Sequence, residues 1–173
     1  MTRRAQEWFD EYSESHRKPT NKLLHWICVP VIVLSVIGLL WALPVPSVFR
    51  AVSPFLNWGT LVAAVAVLYY FTMSINLGVG MLLSMLVLTW LVYLLDQLAV
   101  PLWVSCVALF VVAWIGQFIG HAVEGKRPSF FKDVQFLMIG PLWLLAHVYR
   151  RAGIPFWSGP ITPRNADQSQ SPD

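Results

Sequence analysis

The side chains in this sequence that are best suited to chemistry are its four histidines, His16, His25, His121 and His147. Neutral imidazole is the commonest protein ligand for metal ions near physiological pH. Three or four imidazoles, with or without a carboxylate, suit Fe(II) or Zn(II). These residue types therefore favour a site for one metal ion, provided that the fold places the rings close together.

Two polar residues lie at helical spacing from these histidines. Glu124 follows His121 by three positions, so a continuing helix places both on one face. There Glu124 is either a further ligand or a partner that orients an imidazole. Asn21 precedes His25 by four positions and is within hydrogen-bonding reach of it on a helix.

The spacing of His16 and His25 permits a shared metal ion but does not require one. Nine residues make two and a half helical turns, so the two rings would face opposite ways on one continuous helix. Pro19 interrupts such a helix and frees His16 to fold back over the site.

The elements that must position these side chains are predicted to be transmembrane helices. Of the 173 residues, 57% are hydrophobic and only 12% are charged, against roughly 25% charged in an average soluble domain. A soluble domain of this size cannot bury so much apolar surface, whereas a lipid-embedded one need not. We therefore predict one membrane-embedded domain over residues 1–155 and a disordered tail over residues 156–173, which is rich in Pro, Ser, Asp and Gln.

Four apolar runs are candidate membrane spans, at residues 23–43, 56–73, 80–95 and 102–123. A fifth run, residues 134–149, is short and contains Gly-Pro, so we expect a re-entrant hairpin or a short helix there. An ordinary fifth span, with the C-terminus outside, is the alternative. The predicted fold is thus an all-α polytopic membrane protein with four transmembrane helices and this fifth element.

The segment before the first span is predicted to form a short amphipathic helix over residues 4–16, because its aromatic residues recur at helical spacing. Pro19 ends that helix. Thr20 and Asn21 are then the expected N-cap candidates of the first span.

Lysine and arginine residues predict the orientation of the chain. With four spans, the N-terminus and the segment after the fourth span share one face, and that face holds most of the basic residues. It is therefore expected to be cytoplasmic. Arg150 and Arg151 join it only if the fifth run does not cross. All the histidines then lie at the cytoplasmic boundary, in a bacterial inner membrane or, in a eukaryote, the endoplasmic reticulum.

Several functions are disfavoured by what the sequence contains. The basic residues flank apolar runs, where they contact lipid headgroups rather than nucleic acid. There is no G-x-S-x-G, and both cysteines, Cys28 and Cys106, lie inside apolar runs, so nucleophilic catalysis is not indicated. Two alternatives stay open, along with the oligomeric state. One is a non-enzymatic membrane protein that binds lipid or metal, such as a transporter or assembly factor. The other is a zinc hydrolase with Glu124 as general base.

Two motifs occur in order along the chain. The first is Y-x-x-x-H-x-x-x-x-N-x-x-x-H-x-x-x-x-P, carried by Tyr12, His16, Asn21, His25 and Pro30. The second is Q-x-x-G-H-x-x-E-x-x-x-P, followed by G-P-x-W. Together they resemble the Mpo1-like family of small multi-helix membrane proteins, formerly a domain of unknown function, over roughly residues 5–152. The chain departs from the family at Val123, where phenylalanine is typical, and at Cys28, where glycine is frequent.

The resemblance implies an activity. The family's characterised eukaryotic member is an Fe(II)-dependent dioxygenase of the endoplasmic reticulum. It acts in the breakdown of phytosphingosine and converts 2-hydroxy fatty acids into acids one carbon shorter by α-oxidation. The implied partners are thus a 2-hydroxy fatty acid, O2 and the lipid bilayer, and the implied cofactor is Fe(II). A 2-hydroxy acid can chelate Fe(II) through its carboxylate and hydroxyl oxygens, and three imidazoles leave room for it and for O2.

The resemblance also assigns roles to residues. It implies that His16, His25 and His121 are iron ligands. His147 is a further candidate ligand, although family members often have glutamate near its position. The expected catalytic residues are Tyr12, Asn21 and Glu124, which belong to the two motifs. Basic side chains at the same membrane face are expected to attract the substrate carboxylate, namely Arg17, Lys126 and Arg127.

Overall fold

The chain is helical throughout its regular structure in the computed structural model, which describes residues 9, 12–13, 16–125 and 134–155, the last range without the side chains of its first four residues. The helices are α1 Pro19–Trp41, α2 Ser47–Val52, α3 Trp58–Met73, α4 Ile75–Asp96, α5 Leu102–Glu124 and α6 Val134–Ala152. No strand occurs in these residues, so the prediction of an all-α protein is confirmed. The predicted tail of residues 156–173 lies outside the described ranges.

Three helices, α1, α4 and α5, are long and apolar enough to cross a membrane, and α3 is a shorter apolar helix of 16 residues. Large apolar side chains on these helices point away from the protein, for example Leu68, Leu86 and Val112. Apolar surface exposed on this scale is unfavourable in water but is expected where lipid surrounds the helices. The described helices therefore fit a membrane protein.

Helices α1 and α5 run antiparallel and pack closely because two glycines of α5 face α1. A Cβ atom on Gly120 would lie 2.6 Å from Oδ1 of Asn21, and one on Gly116 would lie 2.6 Å from Sγ of Cys28. Glycines four residues apart let helix backbones approach in this way in membranes. The close packing sets the beginning of α1 beside the end of α5. We call this end of the bundle the histidine end.

The start of α1 differs from the predicted capping. The N-cap residue is Lys18 and Pro19 occupies the first turn, where a missing N–H costs nothing. The prediction of Thr20 or Asn21 as N-cap is therefore wrong, because proline begins the helix instead of merely preceding it. The side chain of Lys18 makes no capping hydrogen bond. Of the predicted amphipathic helix, residues 9, 12 and 13 are described and are helical; the remaining positions before residue 16 lie outside the described residues.

The fifth apolar run forms one helix, α6, that continues through Gly140 and Pro141. The predicted re-entrant hairpin is therefore wrong, and a short helix forms instead. Proline removes one backbone hydrogen bond, and apolar helices packed against neighbours tolerate that loss.

Two hydrogen bonds show how α6 lies on the bundle. The Tyr70 hydroxyl donates to the Met138 carbonyl at 2.9 Å, and the Tyr149 hydroxyl donates to the Asn76 carbonyl at 2.9 Å. Tyr70 is near the end of α3 and Asn76 is near the start of α4, so both contacts lie at the histidine end. Helix α6 thus lies across this end of the bundle.

Candidate metal centre

Three histidines from separate parts of the chain meet at the histidine end. His16 precedes α1, His25 lies in the second turn of α1, and His121 lies in the last turn of α5. One ring nitrogen of each lies within 4.8 Å of the other two. Each residue is at most 4% exposed, and burial of three imidazoles is unfavourable unless their polar atoms are bound. The structure thus brings together three of the four predicted metal ligands.

Backbone carbonyls orient two of these rings. Nδ1 of His16 lies 2.6 Å from the Tyr12 carbonyl oxygen, and Nδ1 of His25 lies 3.0 Å from the Asn21 carbonyl oxygen. A carbonyl only accepts, so each Nδ1 carries the hydrogen and each Nε2 presents a lone pair. Metal-binding histidines are commonly oriented by such a bond from the second ring nitrogen.

The two Nε2 atoms face each other at 2.9 Å. Two lone pairs at this distance repel each other, and a proton between them would require an imidazolium or the loss of a carbonyl bond. Burial opposes an imidazolium and lowers the pKa of His16 to about 4, although the bond to the Tyr12 carbonyl acts the other way. A metal cation resolves the repulsion, since imidazole nitrogens bind Fe or Zn at about 2.0–2.1 Å after a small separation of the rings.

His121 completes the donor set. Its ring centre lies 5.2 Å from that of His16 and 5.1 Å from that of His25. Its Nδ1 atom is buried with no hydrogen-bond partner in the described part of the chain. Three neutral nitrogen donors therefore fit Fe(II) or Zn(II), both of which accept ligands beyond three imidazoles.

Glu124 does not belong to this group of ring nitrogens. Its Oε1 accepts a hydrogen bond from the Arg17 backbone at 3.0 Å, and its Oε2 accepts from the Lys18 backbone at 2.9 Å and from Asn21 Nδ2 at 3.2 Å. The carboxylate thereby caps the N-terminus of α1, where the helix dipole favours negative charge. Glu124 thus ties the end of α5 to the segment that carries His16.

An aromatic wall covers one side of the histidines. The Tyr12 ring stacks on His16 with centres 4.2 Å apart and planes 13° apart. Trp143 lies 5.6 Å from His16 and donates from Nε1 to Ser13 Oγ at 2.9 Å. Burial raises the pKa of Tyr12 well above its usual range, so its phenol stays neutral. Trp143 was not predicted as a site residue, although it is the tryptophan of the G-P-x-W motif.

The other predicted site residues lie outside this cluster or outside the described structure. His147 contacts Trp26 and Trp143, with ring centres 6.0 Å and 5.7 Å away, but is not in the three-histidine group. The Arg17 side chain is exposed at the histidine end. Lys126 and Arg127 lie outside the described residues.

Gln117 is a buried polar residue that the sequence analysis did not single out. It precedes His121 by one helical turn and is only 4% exposed, so both side chains lie on the same face of α5. Its Nε2 is buried and has no partner among the described residues. The spacing of glutamine and histidine in the second motif is the sequence signal that could have identified it.

Comparison with known proteins assigns the family. The model of the Mpo1-like family, described as 2-hydroxy-palmitic acid dioxygenase Mpo1-like, matches residues 2–152. This chain belongs to the Mpo1-like family. The resemblance carried by the two motifs is therefore confirmed, and the three clustered histidines of this Mpo1-like chain all lie in those motifs.

A curated relative agrees with this family. The chain is 30% identical over 137 residues to the 2-hydroxy-palmitic acid dioxygenase MPO1 of Saccharomyces cerevisiae, and the aligned part covers 78% of this chain and 73% of the relative. No solved structure matches the chain significantly. The relative and the family together support a role in 2-hydroxy fatty acid oxidation for this Mpo1-like protein.

Proposed function

We propose that this Mpo1-like protein is an Fe(II)-dependent dioxygenase that shortens 2-hydroxy fatty acids by one carbon. The observation that carries the proposal is the facing pair of Nε2 atoms, 2.9 Å apart, on two rings whose Nδ1 atoms contact carbonyls. The printed name of the yeast relative supports the reaction. The balanced conversion consumes one 2-hydroxy acid and one O2 and yields the shorter acid, CO2 and water.

The chain's own residues contribute binding and orientation. His16, His25 and His121 would hold Fe(II), which would offer binding positions for O2 and for the acid's oxygens, while the four electrons that reduce O2 come from carbons 1 and 2 of the acid. The Tyr12 and Asn21 carbonyls keep each Nδ1 protonated, so that Nε2 stays available. The buried amide of Gln117 is a donor for an oxygen of the bound acid. The Tyr12 and Trp143 rings exclude water from one side.

The zinc-hydrolase alternative is less well supported. A general base needs a carboxylate oxygen that is free to take a proton from water. Both oxygens of Glu124 accept hydrogen bonds from the start of α1, which lowers their basicity. Glu124 is therefore better suited to positioning His16 than to proton transfer.

Metal content and oxygen-dependent turnover test the proposed function. Detergent-purified protein is expected to contain about one iron per chain and to convert 2-hydroxypalmitate into the acid one carbon shorter only in the presence of O2. Chelation should abolish turnover, and Fe(II) but not Zn(II) should restore it. Turnover restored by Zn(II), or unchanged after complete chelation, would contradict the proposal.

We further propose that α1, α3, α4 and α5 cross the membrane, with the histidine end on the cytoplasmic side. The basic residues support this orientation, because Arg17, Arg150 and Arg151 lie at the histidine end while Arg50 is near the start of α3. In sealed cells, a cysteine replacing Arg50 should react with an impermeant maleimide, whereas one replacing Arg151 should react only after permeabilisation. Labelling of both residues in intact cells would contradict this topology.

A further inference from the structure

An apolar groove of about 430 Å³ opens between α1, α4 and α6. Among its lining residues Ser84 carries the one hydroxyl group, and that hydroxyl donates to the Gly80 carbonyl at 2.8 Å within its own helix. The groove therefore offers apolar surface and almost no hydrogen-bonding capacity. Its apolar lining residues include Val29, Val33, Met81, Leu88, Pro141 and Leu144.

Gly140 lies between the groove and the metal centre. A Cβ atom at this position would lie 3.1 Å from the Tyr12 hydroxyl oxygen and 3.9 Å from Cγ1 of Val29. Tyr12 stacks on His16, whereas Val29 lines the groove. The wall of the metal centre and the wall of the groove thus meet at a residue without a side chain, and Pro141, the next residue, lines the groove as well.

We propose that this groove binds the alkyl chain of the 2-hydroxy acid, whose carboxyl end reaches the histidines past Gly140. The inference rests on the proposed function. A fatty acid has one polar end and an otherwise apolar body, which matches a polar histidine cluster that is separated only by Gly140 and its neighbours from a groove with an almost wholly apolar lining. Along α1 the groove extends from Trp26 to Val33, so it runs from the histidine end toward the middle of the apolar helices.

Substitution at the far end of the groove tests the proposal. Leu88→Trp should fill that end and lower kcat/KM for 2-hydroxypalmitate at least tenfold relative to 2-hydroxyoctanoate. Leu88→Ala should shift the preference toward longer acids. Both variants should keep full iron content, because Leu88 lies two helical turns beyond Met81, at the end of the groove away from the histidines.

A matched control comes from a second apolar groove. Leu95 is also on α4, two turns further from the site, and lines a separate groove with Val31, Leu91 and Leu109. Leu95→Trp should leave the chain-length preference unchanged. An equal change in Leu95→Trp and Leu88→Trp, or no change in preference in either Leu88 variant, would overturn the proposal.

A binding measurement separates this proposal from the proposed function. A 2-hydroxypalmitate analogue with a diazirine near the end of its chain should label α1 or α4 peptides lining the groove, and Leu88→Trp should reduce that labelling. Labelling without any turnover would retain the groove and reject the dioxygenase. Turnover combined with labelling only outside the groove would support the dioxygenase and reject the groove as the site of the alkyl chain.

Discussion

Replacing His25 with alanine is expected to abolish metal binding and acid oxidation together. The Nε2 of His25 faces that of His16 at 2.9 Å, and His121 lies 5.1 Å away between ring centres. Loss of one of three ligands should weaken metal affinity by more than the 10–100-fold typical of residues that only orient a ligand. Metal analysis after gel filtration and a single-turnover assay under O2 measure both effects.

His147→Ala is the matched control, since it removes the fourth histidine at the same end of the bundle. His147 contacts two tryptophans and is absent from the three-histidine group. The variant should therefore retain iron at the wild-type level. Iron loss in His147→Ala equal to that in His25→Ala would show that His147 is also a ligand and that α6 packs more closely on the cluster.

Replacing Gln117 with leucine is expected to weaken binding of the acid without loss of iron. Leucine fills a similar volume but removes the buried amide whose Nε2 lacks a partner in the described structure. Iron content should be unchanged, whereas KM for the acid should rise about tenfold, the loss expected for one hydrogen bond to a charged group. An unchanged KM in this variant would show that Gln117 does not bind the substrate.

The three-histidine group could be predicted because each histidine lies at the end of an apolar run. His16 and His25 flank the start of the first run, and His121 closes the fourth. The number of crossings alone places such residues at one face of the membrane. The position of a residue relative to the predicted spans therefore indicates its depth in the membrane. This explains why residues about a hundred positions apart could be grouped without a structure.

The contacts among the residues at this face of the membrane could not be predicted in the same way. Gly140-Pro141 is typical of a helix break, yet α6 continues through it because neighbouring helices support the backbone. Glu124 is at the right spacing to face the same way as His121, but its carboxylate caps α1. Whether the Glu124 carboxylate reaches α1 depends on how closely α1 and α5 approach each other. That distance depends on two glycines of α5 rather than on hydropathy. The groove likewise arises only from the packing of three helices.

The second large effect is expected for Glu124→Gln. Glutamine keeps the size of the side chain but removes the charge and turns one acceptor into an N–H donor facing other donors, among them the Lys18 backbone and Asn21. The start of α1 should loosen, and with it the segment that positions His16. We expect iron affinity to fall about 10–100-fold, as for other groups that orient ligands.

Asp96→Asn is the control for loss of a carboxylate at a helix end. Asp96 is the last residue of α4, at the end of the bundle opposite the histidines, so its loss should leave iron affinity unchanged. Titration of the metal-free protein with Fe(II) under anaerobic conditions measures the affinity of each variant. If Glu124→Gln binds iron normally but turns over slowly, Glu124 acts on the substrate and not on His16. If affinity and turnover fall together, and excess iron restores turnover, the Glu124 carboxylate acts by holding His16 in place.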